Sequence, residues 1–190
     1  HAFFLEEENK MRKEIFQEIK IPGGVSVEIE GGSIIVKGAE GENKRTFNTL
    51  GLEFKKENDK IILGSKKATK KNKKIINSIA AHIRNMVKGA QKKFEYKLKI
   101  CFSHFPFTVS ISGDKAEIKN FLGEKVPRTL ILPKEVEIKT DKENITIFSK
   151  DKELAGKVAA DFERVTKVRE KDKRIFQDGI YIIEKAGRKI

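Results

Sequence analysis

Hydrophobic and polar residues alternate along two short stretches that occupy equivalent places in the two halves of the chain. The apolar positions are Val25, Val27 and Ile29 in the first stretch and Phe107, Val109 and Ile111 in the second. A period of two predicts a strand with one buried face. Each stretch runs into a two-residue turn, Gly31-Gly32 or Gly113-Asp114, which suits a tight hairpin because such residues tolerate positive φ.

The same order of elements continues after each turn. A second strand is predicted by Ile34 and Val36, and by Ala116 and Ile118 at the equivalent places. Residues 60–63 and 144–148 predict a further strand in each half. Each half then shows apolar residues three and four positions apart, which is typical of a helix with one buried face. These are Ile76, Ile79, Ile83, Met86 and Val87 in the first half, and Leu154, Val158, Phe162 and Val165 in the second.

The repeated order of elements indicates an internal duplication. We therefore predict an α+β fold, a tandem duplication of a small domain in which each copy is an antiparallel sheet covered by one helix. The first α+β module is predicted over residues 21–96. The second is predicted over residues 97–190 and ends in a basic C-terminal tail. Residues 1–20 show no match to the repeat and are predicted to be an N-terminal extension.

The charge of the chain indicates a polyanionic partner. The net charge is +13 and the isoelectric point is about 9.7, which favours nucleic acid over an anionic membrane surface. No apolar run approaches the roughly 20 residues of a membrane helix, so we expect no membrane association. One cysteine and three histidines show no zinc-ligand spacing, and we expect neither a metal nor a cofactor.

The positive charge is concentrated in three clusters, of which the last is the C-terminal tail with Lys185, Arg188 and Lys189. The first contains Lys66, Lys67, Lys70, Lys71, Lys73 and Lys74, and the second contains Lys167, Arg169, Lys171, Lys173 and Arg174. Like charges one helical turn apart repel each other, and a phosphate backbone would relieve that repulsion. For the first cluster, a solvated helix face and a phosphate contact both remain open.

Motifs that would indicate other chemistry are weak. Residues 38–41 read Gly-Ala-Glu-Gly, which matches the GxxG loop of RNA-binding KH domains. However, this stretch follows a strand and carries Glu40, so an ordinary turn is the better interpretation. Ser103 and His104 are adjacent but lack the context of a nucleophile elbow. We therefore predict no catalytic residue and no small-molecule substrate. The chain has no tryptophan, which favours recognition of RNA by shape and phosphate contacts over reading of single-stranded bases.

Five longer motifs resemble a known family. They are HIRNMVKG (82–89), FEYKLK (94–99), HFPF (104–107), IKNFLGEK (118–125) and RIFQDGIYIIEK (174–185). They resemble the family of the sixth protein of the large ribosomal subunit, called L nine in many eukaryotes, in its archaeal and eukaryotic cytosolic branch. The resemblance implies two similar α+β domains bound to large-subunit ribosomal RNA, near the sarcin-ricin loop and the translation-factor site. It also implies neighbouring ribosomal proteins as partners, a cytoplasmic location in the large subunit, and no catalytic step.

The resemblance also implies which residues contact RNA. In the second module they are Lys119, Asn120, Lys125 and Arg128 around the NFLGEK loop, and Lys167, Arg169, Lys171, Lys173 and Arg174 before the DGIY turn. In the first module they are Arg84, Lys88, Lys92 and Lys93. Gly179 would allow close approach of the backbone or a tight bend, or would be an ordinary turn glycine. Phe121 and Leu122 are expected to hold their loop to the core or to a neighbour.

The charge and the duplication by themselves also allow a second function. A non-ribosomal adaptor could use the same two modules to bind protein partners, with basic surfaces that serve only solubility. The sequence therefore predicts a structural ribosomal RNA-binding protein as the leading function and an adaptor as the alternative.

Overall fold

The computed structural model describes residues 13–49, 51–57, 59–172 and 174–190. These residues form two compact units, one that ends at Lys92 and one that begins at Lys93. Neither helix of the described residues is both long and apolar enough to span a bilayer. The boundary falls four residues before the predicted one, because Phe94 already begins a strand of the second unit.

The described residues of the first unit form two antiparallel three-stranded sheets and one helix. Its elements are β1 (Lys13–Lys20), β2 (Ser26–Glu30), β3 (Ser33–Gly38), β4 (Gly41–Thr46), β5 (Glu53–Glu57), β6 (Lys60–Ala68) and α1 (Lys70–Gln91). The strand orders are β1-β6-β5 and β2-β3-β4. The core lies between the helix and the sheets, because the apolar stripe of α1 packs on fully buried residues of β3 and β6 such as Val36 and Leu63.

The second unit repeats this plan and extends it. Its elements are β7 (Phe94–Cys101), β8 (Thr108–Ser112), β9 (Lys115–Lys119), a 3-10 turn (Phe121–Gly123), β10 (Arg128–Ile131), β11 (Glu137–Thr140), β12 (Asn144–Ser149), α2 (Lys152–Val165), β13 (Gly179–Lys185) and β14 (Arg188–Lys189). The strand orders are β10-β9-β8 and β11-β12-β7-β13-β14. The helix α2 buries Ala155, Val158 and Phe162 in the core of this unit.

The α+β fold and the tandem duplication are confirmed, and the structure adds strands that the sequence pattern did not show. Residues 13–20 were assigned to an extension, but they form β1, which pairs with β6 and buries Ile19 opposite Ile61. In the second unit β7 pairs with β12 in the same way. The repeat therefore includes β1. It also has two sheets in each unit rather than one, because the β2-β3-β4 and β8-β9-β10 hairpins form separate sheets.

Short-range signals set the ends of the helices. The side chain of Thr69 accepts a hydrogen bond from the Asn72 amide and caps α1, and Asp151 caps α2 by accepting from the Glu153 amide. Both are favoured capping residues because their oxygens satisfy an amide that has no partner within the helix. The Gly-Ala-Glu-Gly stretch is the β3-β4 turn. The Glu40 amide donates to the Ala90 carbonyl near the end of α1, which ties this turn to the helix.

Candidate nucleic-acid interface

Three loops of the second unit pack against one another. They are residues 102–107 after β7, residues 120–127 after β9, and residues 166–178 after α2, and we call the described part of these loops the three-loop surface. The Asn120 side-chain nitrogen donates to the Pro106 carbonyl at 2.9 Å. The rings of Phe107 and Phe121 meet edge to face, 5.2 Å apart. These contacts join the first loop to the second.

A buried carboxylate joins the first loop to the third. Asp178 is 1% exposed and accepts hydrogen bonds from the Ser103 amide and hydroxyl, the His104 amide and the His104 Nδ1–H. The His104 Nδ1 lies 2.7 Å from Asp178 Oδ2, and it carries the hydrogen because an ionised carboxylate only accepts. Burial raises the pKa of Asp178, but the hydrogen bonds outweigh burial and lower the pKa to about 2. Asp178 is therefore an internal ionic anchor.

The same geometry explains the adjacent Ser103 and His104. The Ser103 hydroxyl lies 3.0 Å from His104 Nδ1 and 3.1 Å from Asp178 Oδ2. Because that ring nitrogen already donates to the carboxylate, it has no lone pair with which to accept the hydroxyl proton. A serine activated for attack would need a free base nitrogen at this place. Ser103 and His104 instead hold the loop 102–107 on the buried carboxylate.

Arg128 joins the second loop to the end of α2. Its guanidinium donates through Nε and Nη2 to the Glu124 carboxylate, and through Nη1 to the Val165 carbonyl at 2.6 Å. It also lies 4.3 Å from the centroid of the buried Phe121 ring. The pKa of Glu124 is lowered, chiefly by the hydrogen bond from Arg128. All of these contacts lie within the unit.

The loop between Asn120 and Gly123 has a tightly constrained backbone. Asn120 (φ 62°), Leu122 (φ 51°) and Gly123 (φ 78°) all adopt the left-handed conformation. This conformation is easy for glycine, tolerable for asparagine and costly for leucine. The buried Phe121 side chain (1% exposed) holds the loop in place, which confirms that Phe121 fixes it to the core.

Five predicted cations project from the three-loop surface into solvent. They are Lys125, Lys167, Arg169, Lys171 and Arg174, and all five are exposed. Among the described residues, Arg174 pairs with Asp172 at 3.3 Å, and the Lys171 ammonium lies 4.5 Å from the centroid of the Phe176 ring. Both interactions lie at the surface, where an ion pair contributes little, so these groups remain available to a phosphate. Lys173 lies outside the described residues.

Three other predicted residues of the second unit have different surroundings. Asn120 and Arg128 hold the loops together through the contacts above, so the structure assigns them an internal role beside the exposed cations. Lys119 is exposed at the end of β9, and its Nζ lies 3.4 Å from Glu117 Oε2. Gly179 is not a turn glycine, because it begins β13 opposite Cys101. A Cβ at Gly179 would lie 3.1 Å from the Tyr181 ring, so the close approach here is by a side chain.

The residues predicted in the first module divide between the two units. Arg84 and Lys88 are exposed on α1, Lys92 follows the helix, and Arg84 donates to the Gln17 side chain at 3.2 Å. Lys93 belongs to the second unit and pairs with Glu137 of β11 at 2.6 Å. The division between the two units lies between the adjacent residues Lys92 and Lys93, so Lys93 falls in the second unit although its predicted place is the end of the first module.

The lysine cluster 66–74 spans the end of β6 and the start of α1. Its last four members, Lys70, Lys71, Lys73 and Lys74, are exposed in the first turns of the helix. The first turn contains no acidic residue, although the positive end of the helix dipole favours acids there. This arrangement is electrostatically unfavourable for the isolated helix.

Sequence reasoning missed two features of the three-loop surface. The role of Asp178 was not predicted, although the QDGIY motif contains it. Each loop also exposes a large apolar side chain: Phe105 (53% exposed), Val126 (78%) and Ile175 (62%). Such a concentration of exposed apolar residues often marks an interaction surface. No periodic pattern could reveal these residues, because they lie in loops.

Comparison with known proteins agrees with the duplicated α+β fold. A family model described as Ribosomal protein L6 matches residues 21–93 and 105–179. The chain is 44% identical over 174 residues to the large ribosomal subunit protein uL6 of Methanococcus vannielii. The aligned region covers 92% of this chain and 96% of that protein. The chain is 41% identical over 175 residues to the uL6 protein of Methanothrix thermoacetophila, and the aligned region covers 92% of this chain and 99% of that protein. The first matched segment lies in the first unit except for its last residue, Lys93, and the second matched segment lies in the second unit.

Proposed function

Because the chain belongs to the ribosomal protein L6 family, we propose that it is a structural component of the large ribosomal subunit in the cytoplasm. In this role it binds large-subunit ribosomal RNA through the three-loop surface. Its partners are this RNA and neighbouring ribosomal proteins. The family resemblance supports a place near the sarcin-ricin loop and the translation-factor site. The protein acts as a structural element, not as an enzyme.

One observation carries the assignment to the three-loop surface. Three chain segments that are far apart in sequence are joined there by Asn120, Arg128 and the buried Asp178, while five cations around them point into solvent. Internal anchors fix the spacing of the loops, so the cations occupy set positions. Cations at set positions can recognise the shape of a folded RNA backbone without reading its bases.

The test compares two fourfold variants of the full chain. One replaces Arg169, Lys171, Lys173 and Arg174 with Ala. The control replaces the exposed residues Lys115, Lys134, Lys142 and Lys157 of the same unit, which lie outside the three-loop surface, with Ala. Both variants lose four positive charges, so a purely non-specific attraction would weaken equally in both.

The affinity of each variant for purified large-subunit ribosomal RNA is measured over a series of salt concentrations. We expect only the first variant to show a shallower salt dependence, by about 0.7–0.9 for each lost phosphate contact. Equal slopes for the two variants would refute the assignment to the three-loop surface. If the tagged chain is absent from large subunits isolated from cells at high magnesium, the ribosomal function itself is rejected and the adaptor function is favoured.

A further inference from the structure

A small cavity opens beside the exposed cations, where β13 begins. Its volume is about 230 Å³, and its walls include Lys167, Phe176, Gln177, Gly179 and Tyr181. Pockets for drug-sized ligands usually measure about 300–1,000 Å³, so this cavity suits a single small ring system. It lies within the proposed RNA-binding surface but is not needed to bind phosphates.

The walls of the cavity are held in place by contacts within the unit. The Tyr181 hydroxyl donates to the Gln177 carbonyl at 3.1 Å. The Cζ, Cε2 and Oη atoms of Tyr181 lie 3.1–3.2 Å from the position that a Cβ of Gly179 would occupy. The absence of a side chain at Gly179 therefore lets the aromatic ring lie close over the backbone. Tyr181 as a whole remains 46% exposed, so the residue is accessible to a ligand.

The second aromatic ring of the cavity wall, that of Phe176, is already in contact with other side chains of the unit. His104 stacks on Phe176 with the ring centroids 4.5 Å apart and an angle of 13° between the planes, and Lys171 lies 4.5 Å from the same centroid. Phe176 is therefore a fixed wall, and Tyr181 is the ring with a free surface. The Gln177 side-chain nitrogen donates to the Arg174 carbonyl at 3.1 Å, which leaves the amide oxygen as a hydrogen-bond acceptor.

We propose that this cavity receives one unstacked nucleobase of the large-subunit ribosomal RNA, which stacks on Tyr181 while Lys167 pairs with the adjoining phosphate. This inference rests on the proposed function. A nucleobase has the required chemistry, because its apolar faces stack on aromatic rings and its polar edge forms hydrogen bonds. The exposed Lys167 at the rim matches the charge of the phosphate that such a base carries with it. One extruded base would give the protein a fixed register on an RNA that it otherwise recognises by shape.

The test separates stacking from charge by means of full-length variants. Tyr181→Leu keeps an apolar side chain but removes the aromatic face, whereas Tyr181→Phe keeps that face and loses only the bond to Gln177. Ile183→Ala is the matched control, because Ile183 is also partly exposed (39%) on β13 but does not line the cavity. Purified large-subunit ribosomal RNA is the probe, and the affinity is measured over a salt series.

We expect Tyr181→Leu to bind the RNA roughly five- to one-hundred-fold more weakly than the unchanged protein, as is usual for loss of one stacked base. Its salt slope should be unchanged because no phosphate contact is lost. Tyr181→Phe and Ile183→Ala should bind within about twofold of the unchanged protein. Ultraviolet crosslinking of the unchanged complex, followed by mass spectrometry, should identify a nucleotide attached to Tyr181.

Two results would overturn the inference while the proposed function stands. One is a Tyr181→Leu variant that folds and binds as tightly as Ile183→Ala. The other is an equal loss of affinity in Tyr181→Phe, which would assign the effect to the hydroxyl group rather than to stacking. Failure of the unchanged protein to bind this RNA at all would instead reject the proposed function.

Discussion

Replacement of Asp178 by Asn tests whether one buried charge holds the three-loop surface together. The two side chains have nearly the same shape, so the core does not have to repack. The Asn oxygen can still accept from the Ser103 and His104 amides. The Asn side-chain nitrogen, however, would face His104 Nδ1, which lies 2.7 Å from Asp178 Oδ2 in the unchanged protein. Both groups would then be donors, so His104 would have to change its tautomer.

The magnitude of the effect follows from the pKa of Asp178. The pKa falls from an ordinary value of 3.8 to about 2 in the folded protein. One pKa unit corresponds to about 1.4 kcal/mol, so the ionised side chain contributes about 2 kcal/mol to the free energy of unfolding at pH 7. Because the folded-state pKa is lowered, this contribution is fully present above about pH 4 and is lost as the pH falls through about 2. We expect Asp178→Asn to be about 2 kcal/mol less stable at pH 7, and the difference to fall by about half at pH 3.

The composition of the chain provides the assay. The protein has no tryptophan and only two tyrosines, Tyr96 and Tyr181, and both lie in the second unit. Tyrosine fluorescence during urea unfolding therefore reports on that unit alone, even if the first unit unfolds separately. The free energy of unfolding is measured at pH 7, 5 and 3 for the unchanged protein and the variant.

Asp114→Asn is the matched control for this measurement. Asp114 is exposed in the β8-β9 turn of the same unit, where Asn is well tolerated, so this variant should unfold within about 0.5 kcal/mol of the unchanged protein at each pH. The reasoning fails if Asp178→Asn is as stable as this control at pH 7. It also fails if the loss of stability is the same at pH 3 as at pH 7, because the effect would then not come from the ionised carboxylate.

Three further changes test other parts of the structure. Arg128→Lys should destabilise the second unit by about 1–2 kcal/mol, because one ammonium cannot keep both the paired contact with Glu124 and the bond to the α2 carbonyl; unchanged urea unfolding by tyrosine fluorescence would contradict this. Gly38→Ala should destabilise the first unit by about 1–3 kcal/mol, since the new Cβ would lie 2.5 Å from the Ala90 carbonyl oxygen; an unaltered far-ultraviolet circular-dichroism melt would argue against that close contact. Lys71→Glu should stabilise the first unit by about 0.3–1 kcal/mol at low salt, because a negative charge in the first turn of α1 interacts favourably with the helix dipole. If this gain in stability persists in 1 M salt, its cause is not electrostatic.

The local pattern of the chain predicted both helices and six strands, β2, β3, β6, β8, β9 and β12, but not the remaining strands of the described residues. The hairpins at Gly31-Gly32 and Gly113-Asp114 and both helices follow from the spacing of apolar residues and from turn chemistry. Strand β1 has a partner some forty residues away, with Ile19 opposite Ile61. Strand β13 pairs with β7, and the partners lie 78 residues apart at Gly179 and Cys101 and 89 residues apart at Lys185 and Tyr96. Pairing at such separations leaves no local signal, and each of these strands lies outside the part of the repeat that can be aligned.

The features of the candidate site also divide into those that the sequence determined and those that only the tertiary structure decided. The sequence alone determined that the chain is a duplicated α+β protein with a large positive charge, and it located the cations around residues 167–174, because spacing and charge are properties of the chain itself. Only the tertiary structure decided that Arg128 and Asn120 bind their own protein, that Asp178 is a buried anchor, and that Tyr181 and Lys167 line a cavity. The physical reason is that the free energy of a polar group depends on the atoms within a few ångströms and on its access to water. Folding brings those atoms together from distant parts of the sequence.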